Sequence, residues 1–258
     1  MAGTLARRRR AFFPGGSGRR AFTLVELLVI LGIIAILIAI LLPSLSKARK
    51  QAQTAACLSN QRQLVAACVQ YANEHNGLLP FTGFYDGPVP TWLYGNVQTM
   101  LGKQDEVQKG QLWPYLKVTG VYHCPADTGP WPNGSVNNLS TYSMNGAASA
   151  FQGNNNIGLR YMLFHPDDVL FWEFTGTNTT KTNGANDSTN YPQEGVTIRH
   201  SRGTTLGHMD GHADVVSGEE FNKLCHQGPS ILWCDPTSKK DGGMSKGGNI
   251  PAVIPMYE

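Results

Sequence analysis

The first 21 residues contain no acidic side chain, and the run from Phe22 to Leu42 contains one, Glu26. The scarcity is local. Arg7 to Arg10, Arg19 and Arg20 supply 6 of the 21 basic residues, which leaves 21 − 6 = 15 against 18 acidic ones and a net charge near −3 beyond residue 21. The basic balance therefore belongs to the amino-terminal segment and excludes a basic, nucleic-acid-binding body. The arginine run itself lacks the interleaved aromatics and folded context of a nucleic-acid surface. Other absences narrow the reading further. There is no internal repeat, no Ser-His-Asp order, no paired-carboxylate pattern and no phosphate-cradling glycine loop. No catalytic residues are assigned and no enzyme is expected. Cysteine is sparse and odd in number: five thiols cannot all pair within one chain.

What is present begins with apolar length. As a helix, Phe22 to Leu42 covers about 31 Å, close to the ~30 Å of a bilayer's hydrocarbon core. A secretory signal peptide has a shorter apolar core followed by a small-residue cleavage site. Here Pro43, Ser44 and a basic amphipathic stretch follow instead. A plain signal anchor accounts for the hydrophobicity and the arginines but leaves Glu26 unexplained. An ionisable group inside a span costs roughly 2.5–3.5 kcal/mol, so it marks a functional site by default.

Arg19-Arg20-Ala21 followed by Phe22-Thr23-Leu24-Val25-Glu26 and the apolar run resembles the leader of type IV prepilins and of type II secretion pseudopilins. The resemblance implies cleavage by a prepilin peptidase between Ala21 and Phe22 and methylation of the new amino terminus. Glu26 becomes the fifth mature residue and pairs with the amine of a neighbouring subunit. Ala21 stands where the family usually has glycine. Three further segments resemble a large pseudopilin-like family: Cys57 to Leu64, Gln111 to Leu116 leading into Tyr122 to Asp127, and His200 with nine residues before Asp210-Gly211. The last matches the family's H-X9-DG prepilin-processing-associated motif. The resemblance implies an assembly class and a location, not a reaction.

The residues from Ser44 to His75 are helix formers, rich in Ala, Gln, Lys and Leu. Apolar positions at Leu45, Ala48, Ala52, Ala55, Cys57, Leu64, Cys68 and Tyr71 describe one buried stripe. Asn76-Gly77 is a C-cap signal. A continuous helix from Phe22 to His75 is expected, with a kink at Pro43. Beyond it, short runs predict strands at Leu163–Phe164, Val169–Phe174, Val196–Arg199, Thr204–Met209 and His212–Val216, separated by long polar loops. The expected fold is α+β: a long amino-terminal helix on a small, mostly antiparallel sheet. The domains read as a leader (1–21), a transmembrane and assembly helix (22–42), its amphipathic second half (43–76), an extracytoplasmic globular domain (77–236) and a loosely ordered tail (237–258).

His200, His208, Asp210 and His212 crowd into 13 residues, and imidazole with carboxylate suits zinc. The rival is a hairpin, because Asp-Gly is a strong two-residue turn signal. With Asp210 and Gly211 as the turn pair, Met209 faces His212, and His208 and His212 point to opposite sides of the sheet. That favours a structural turn supported by Asp210, with His200 bonding a loop carbonyl, and no metal is assigned. Asp187, Asp214, Asp235 and Asp241 offer oxygen for calcium but sit in no recognisable loop signature. Cys57 and Cys68 share a helix face about 16 Å apart, too far to bridge. Bridges Cys57–Cys124 and Cys225–Cys234 leave Cys68 as a buried thiol; alternatively, several cysteines are small core residues. Trp92, Trp113, Trp131, Trp172 and Trp233 either fill a core or stack on a glycan.

Two functions fit. The first is a pseudopilin-like subunit of a type II secretion or type IV pilus-like assembly. Its partners are the prepilin peptidase, other pseudopilins and the inner membrane, which it crosses once with its amino terminus in the cytoplasm and its domain outside. The second is a membrane-anchored extracytoplasmic protein that binds a glycan or another surface ligand. No cofactor is expected.

Overall fold

The structure is a computed structural model that describes residues 23–83, 89–95, 104–128, 139–151, 157–174, 188–247 and 250–257. Helix α1 spans Leu24–Glu74 and continues through Pro43. Its start is a capping box. Thr23 Oγ1 accepts from the Glu26 backbone N–H at 3.2 Å, and Glu26 Oε2 accepts from the Thr23 backbone N–H at 2.9 Å. Its end is the expected cap: Asn76 takes a left-handed φ of 54°, and the Gly77 N–H bonds Ala72 O at 2.8 Å. The chain divides into two units, one ending at Lys47 and one running from Ala48.

In the first unit every residue from Thr23 to Lys47 is exposed. Burial along α1 begins only at Cys57 and continues through Gln61, Leu64, Val65, Ala67, Cys68 and Ala72. The earlier part of the expected stripe is therefore not core within this chain, and Leu45 is exposed.

In the second unit a five-stranded sheet has the order β3-β1-β2-β5-β6. The strands are β1 (Tyr142–Asn145), β2 (Val169–Glu173), β3 (Thr189–Asn190), β5 (Gly203–His208) and β6 (Ala213–Ser217). All neighbours are antiparallel except β1 and β3. A separate parallel pair joins β4 (Val196–Thr197) to β7 (Met256–Tyr257). The inner stripe of α1 packs with Leu170, Phe171, Met144 and Trp92 in one core cluster. A second cluster gathers Val169, Trp172 and Leu206 with Phe221 and Cys225 of α2 (Gly218–Cys225). Each fully buried side chain of this size contributes about 1.5–3 kcal/mol. Gly207 lets α1 approach β5: a Cβ there would meet Gln61 Oε1 at 2.8 Å. Gln61 Nε2 donates to Thr205 O and to its hydroxyl, both at 2.8 Å.

Several expectations need correction. Leu163–Phe164 is no strand; Tyr161–Leu163 forms a tight 3-10 turn, with Pro166 close behind. Val196 pairs with Met256 outside the main sheet. Strand β1 was not expected, because Ser143 and Asn145 do not read as core. Yet Asn145 is buried, and its amide donates to Val169 O at 2.8 Å and Leu232 O at 3.0 Å. Within the segment expected to be a loose tail, Ile254 is buried, and its N–H bonds Asn222 Oδ1 at 2.9 Å. Cys57 and Cys124 form a disulfide. Cys225 and Cys234 do not; they are free thiols, as is Cys68. Cys225 donates to Pro192 O at 3.3 Å, whereas Cys234 lies 3.6 Å from the Asn145 amide, so the two sulfurs occupy different neighbourhoods.

The Asp210-Gly211 turn also differs. Gly207 pairs with Ala213, and the His208 N–H bonds His212 O at 2.9 Å, so the loop is Met209-Asp210-Gly211. Gly211 takes φ 92°, the bulge position of a three-residue hairpin. Met209 leaves the ladder because its side chain enters the core and its N–H bonds Asp168 O. His208 and His212 consequently stand opposite each other on one face, not on opposite faces.

Two outcomes are expected for the detergent-solubilised chain. Gly211→Val places a β-branched residue at positive φ and should lower unfolding free energy by about 1–3 kcal/mol, read by chemical denaturation. The double change Cys57→Ala with Cys124→Ala opens a link across 67 residues. In the chain-entropy picture that costs about 4 kcal/mol, so its denaturation midpoint should fall well below that of the parent. An unchanged midpoint in either variant contradicts the corresponding role.

Candidate functional site

Three places gather the candidate residues. The first is the opening of α1. From Leu24 to Leu45 the large apolar side chains are exposed, and this helix is long and apolar enough to cross a membrane. Glu26 lies in its first turn, where its carboxylate also accepts from the Thr23 hydroxyl at 2.8 Å. Ala21 and Phe22, the expected cleavage pair, lie outside the described residues.

The second is a buried polar centre at the end of β2. Glu173 is fully buried. Its Oε1 accepts from the Thr205 hydroxyl at 2.5 Å and meets His200 Nε2 at 2.7 Å. Its Oε2 accepts from the Thr197 hydroxyl at 3.4 Å and lies 4.0 Å from Arg199, which holds Asp127 at 3.0 Å. His200 Nδ1 faces the Thr54 hydroxyl of α1 at 2.9 Å. That hydroxyl already donates to Lys50 O, so it accepts from the ring. His200 therefore joins a carboxylate to α1 and does not bond a loop carbonyl. Cys57, Cys124, Glu173 and His200 place ligand-type atoms within 4.8 Å of one another. A metal would need the sulfurs as thiolates. Here they are bonded to each other, and the centre acts as a clamp between helix and sheet.

Glu173 escaped the reading of the sequence. It had the same signal as Glu26, a lone carboxylate in an apolar run, here Val169-Leu170-Phe171-Trp172-Glu173-Phe174.

The third place is the tip of the β5–β6 hairpin. His208 and His212 stack with ring centroids 3.9 Å apart and planes 8° from parallel. His208 Nδ1 donates to Asp167 O at 2.7 Å, and its Nε2 lies 3.2 Å from Asp214 Oδ1. Asp210 Oδ1 accepts from the His212 backbone N–H at 2.9 Å and from its Nδ1 at 2.5 Å. Burial pushes the His208 imidazole down, but its bonds to Asp214 and Asp167 outweigh that and leave it above its ordinary value. The bond from His208 holds the Asp214 carboxyl below its own.

The other described candidates bond or pack within the chain. Asp235 Oδ1 accepts from the Thr237 N–H and hydroxyl. Asp241 accepts from Ser238, Gly243 and Ser245, bonds that hold its carboxyl far below the usual range. Asp187 and Trp131 lie outside the described residues. Trp92, Trp172 and Trp233 are fully buried, and Trp113 is half-buried against the first core cluster, so they fill core and present no stacking platform.

Comparison with known proteins adds one match. The family model of the prokaryotic N-terminal methylation motif covers residues 16–42, which include Glu26 and the opening of α1. No curated protein matches the chain, and no solved structure does. The chain thus joins a prepilin-type methylation motif to an α+β fold of pilin-like design.

Proposed function

We propose that the chain is a pseudopilin-like structural subunit of a type II secretion or type IV pilus-like assembly. The observation that carries this reading is the methylation-motif match over residues 16–42, falling on a continuous apolar helix whose opening run has Glu26 as its one charge. In this reading a prepilin peptidase cuts between Ala21 and Phe22 and methylates the new amine. A single pass holds the subunit in the inner membrane, amino terminus in the cytoplasm and domain outside. On assembly the helix moves from lipid to a bundle of like helices. An uncompensated carboxylate in a span is costly, and a neighbour's amine relieves that cost. Apolar packing then drives association while Glu26 sets its register. The work is mechanical, with the clamp of Glu173, His200 and the disulfide fixing α1 to the domain.

A second reading, a membrane-anchored extracytoplasmic binding protein, draws on one observation. A cleft of about 530 Å³ is bordered by Leu163, His165, Asp168 and Lys239. Burial pushes the Asp168 carboxyl up to about 6. Among the described residues the cleft offers no exposed tryptophan for a glycan to stack on, since Trp233 in its wall is fully buried.

The mass of the intact membrane form should begin at Phe22 with one added methyl. A chain still starting at Met1, or cut beyond the apolar run, contradicts processing. Glu26→Ala removes the costly group and should insert at least as well as the parent. It should nevertheless be left out when co-expressed with wild type and recovered from sheared fibres. Equal incorporation would leave only the anchor, and with it the binding-protein reading.

A further inference from the structure

The three-residue hairpin loop has a chemical consequence. His208 at the end of β5 faces His212 across the ladder, and Asp214 lies two residues beyond His212 on β6. Period-two alternation puts all three on one face. Each offers one ligand-type atom, and these atoms lie within 4.8 Å of one another.

The partners of the rings fix which nitrogen of each can coordinate. The Asp167 carbonyl can only accept, so His208 Nδ1 carries a proton; its Nε2, which bonds Asp214, is the nitrogen that turns to a metal, releasing its own proton on binding. The Asp210 carboxylate likewise takes the His212 Nδ1 proton and leaves Nε2. A histidine that ligates through one nitrogen while donating its other N–H to an oxygen is the arrangement that holds imidazoles on metals. Charge agrees. The carboxylates of Asp167, Asp210 and Asp214 all approach these two rings, with Asp167, Asp210 and His212 forming a second such group. Access is open on one side: the side chains of His212 and Asp214 are 43 % and 50 % exposed, while His208 is packed at 4 %.

We propose that His208, His212 and Asp214 form a site for a first-row divalent transition metal, with zinc the ion best suited to two imidazoles and one carboxylate. Two nitrogens and one oxygen on a partly exposed face match the three-ligand zinc pattern, with water completing the shell. Asp167 and Asp210 are positioning groups that hold the rings through Nδ1. The Asp-Gly pair then has two tasks: Gly211 makes the loop three residues long, and Asp210 aims His212.

The test uses the full chain, purified in detergent without a polyhistidine tag or thiol reductant, and dialysed against Zn2+ buffered by a competing chelator. One zinc per chain is expected by elemental analysis. His212→Ala and Asp214→Asn, both at exposed positions, should each lose that zinc, while His226→Ala, whose ring bonds Asn222 O and Pro251 O away from the triad, should keep it. Asp210→Ala leaves all three ligands in place and should weaken binding by about 10–100-fold. Zn2+ should raise the melting temperature of the parent but not of His212→Ala. Failure of the parent to take up zinc overturns the proposal. So does retention of the same zinc by both ligand variants, which would locate it elsewhere in the chain.

Discussion

A carboxylate with no water around it must be met by donors on every side, and Glu173 imposes that demand on segments far apart in sequence. Thr205 of β5, Thr197 of β4, His200 and Arg199 all converge on it. His200 passes the constraint to Thr54 on α1, and Arg199 passes it to Asp127 beside the Cys124 loop. Removing one partner from a buried ion pair costs roughly 3–5 kcal/mol, far more than a surface pair contributes. The registry of helix, sheet and loop is therefore set by a polar contact, and the apolar clusters fill in around it.

Helix α1 meets two sets of conditions with one backbone. Its first part is Leu, Ile, Val and Ala on all sides, which leaves no polar face for water and no single stripe for a domain. From Cys57 onward small and polar residues alternate with a narrow buried row. There Asn60 Nδ2 donates to His123 O at 2.9 Å and Gln61 bonds β5. Side-chain amides that bond backbone carbonyls specify one rotational setting of the helix, which an apolar row alone would leave loose.

The parts of the structure legible in the sequence were those with a period or a cap. Helix α1 begins and ends within two residues of the expected limits because Asn76-Gly77 signals its stop and the apolar run from Phe22 its start. Strands β2, β5 and β6 were legible from their apolar runs. The rest was decided by long-range contacts. Strand β1 is held by Asn145 bonding carbonyls of Val169 and Leu232, which no local pattern encodes. The side on which His212 points depends on Met209 being drawn into the core, one residue's difference in loop length that reverses the face. Cys225 and Cys234, eight residues apart in the intervening count, sit near Pro192 and Asn145 respectively, so sequence proximity was the wrong guide to pairing. Of the polar centre, His200 stood out by its motif, whereas Glu173 was hidden among aromatics.

The position of the Cys57–Cys124 bond determines how tension travels. Cys57 is the first fully buried residue of α1, and the bond joins it to the loop that also carries Asp127. A pull along the helix from its amino-terminal side thus reaches a covalent link before it reaches the hydrogen bonds of Gln61 or the ladder of β5. Strand pairings are then spared direct shear, because Thr54 and Cys57 take the load ahead of them.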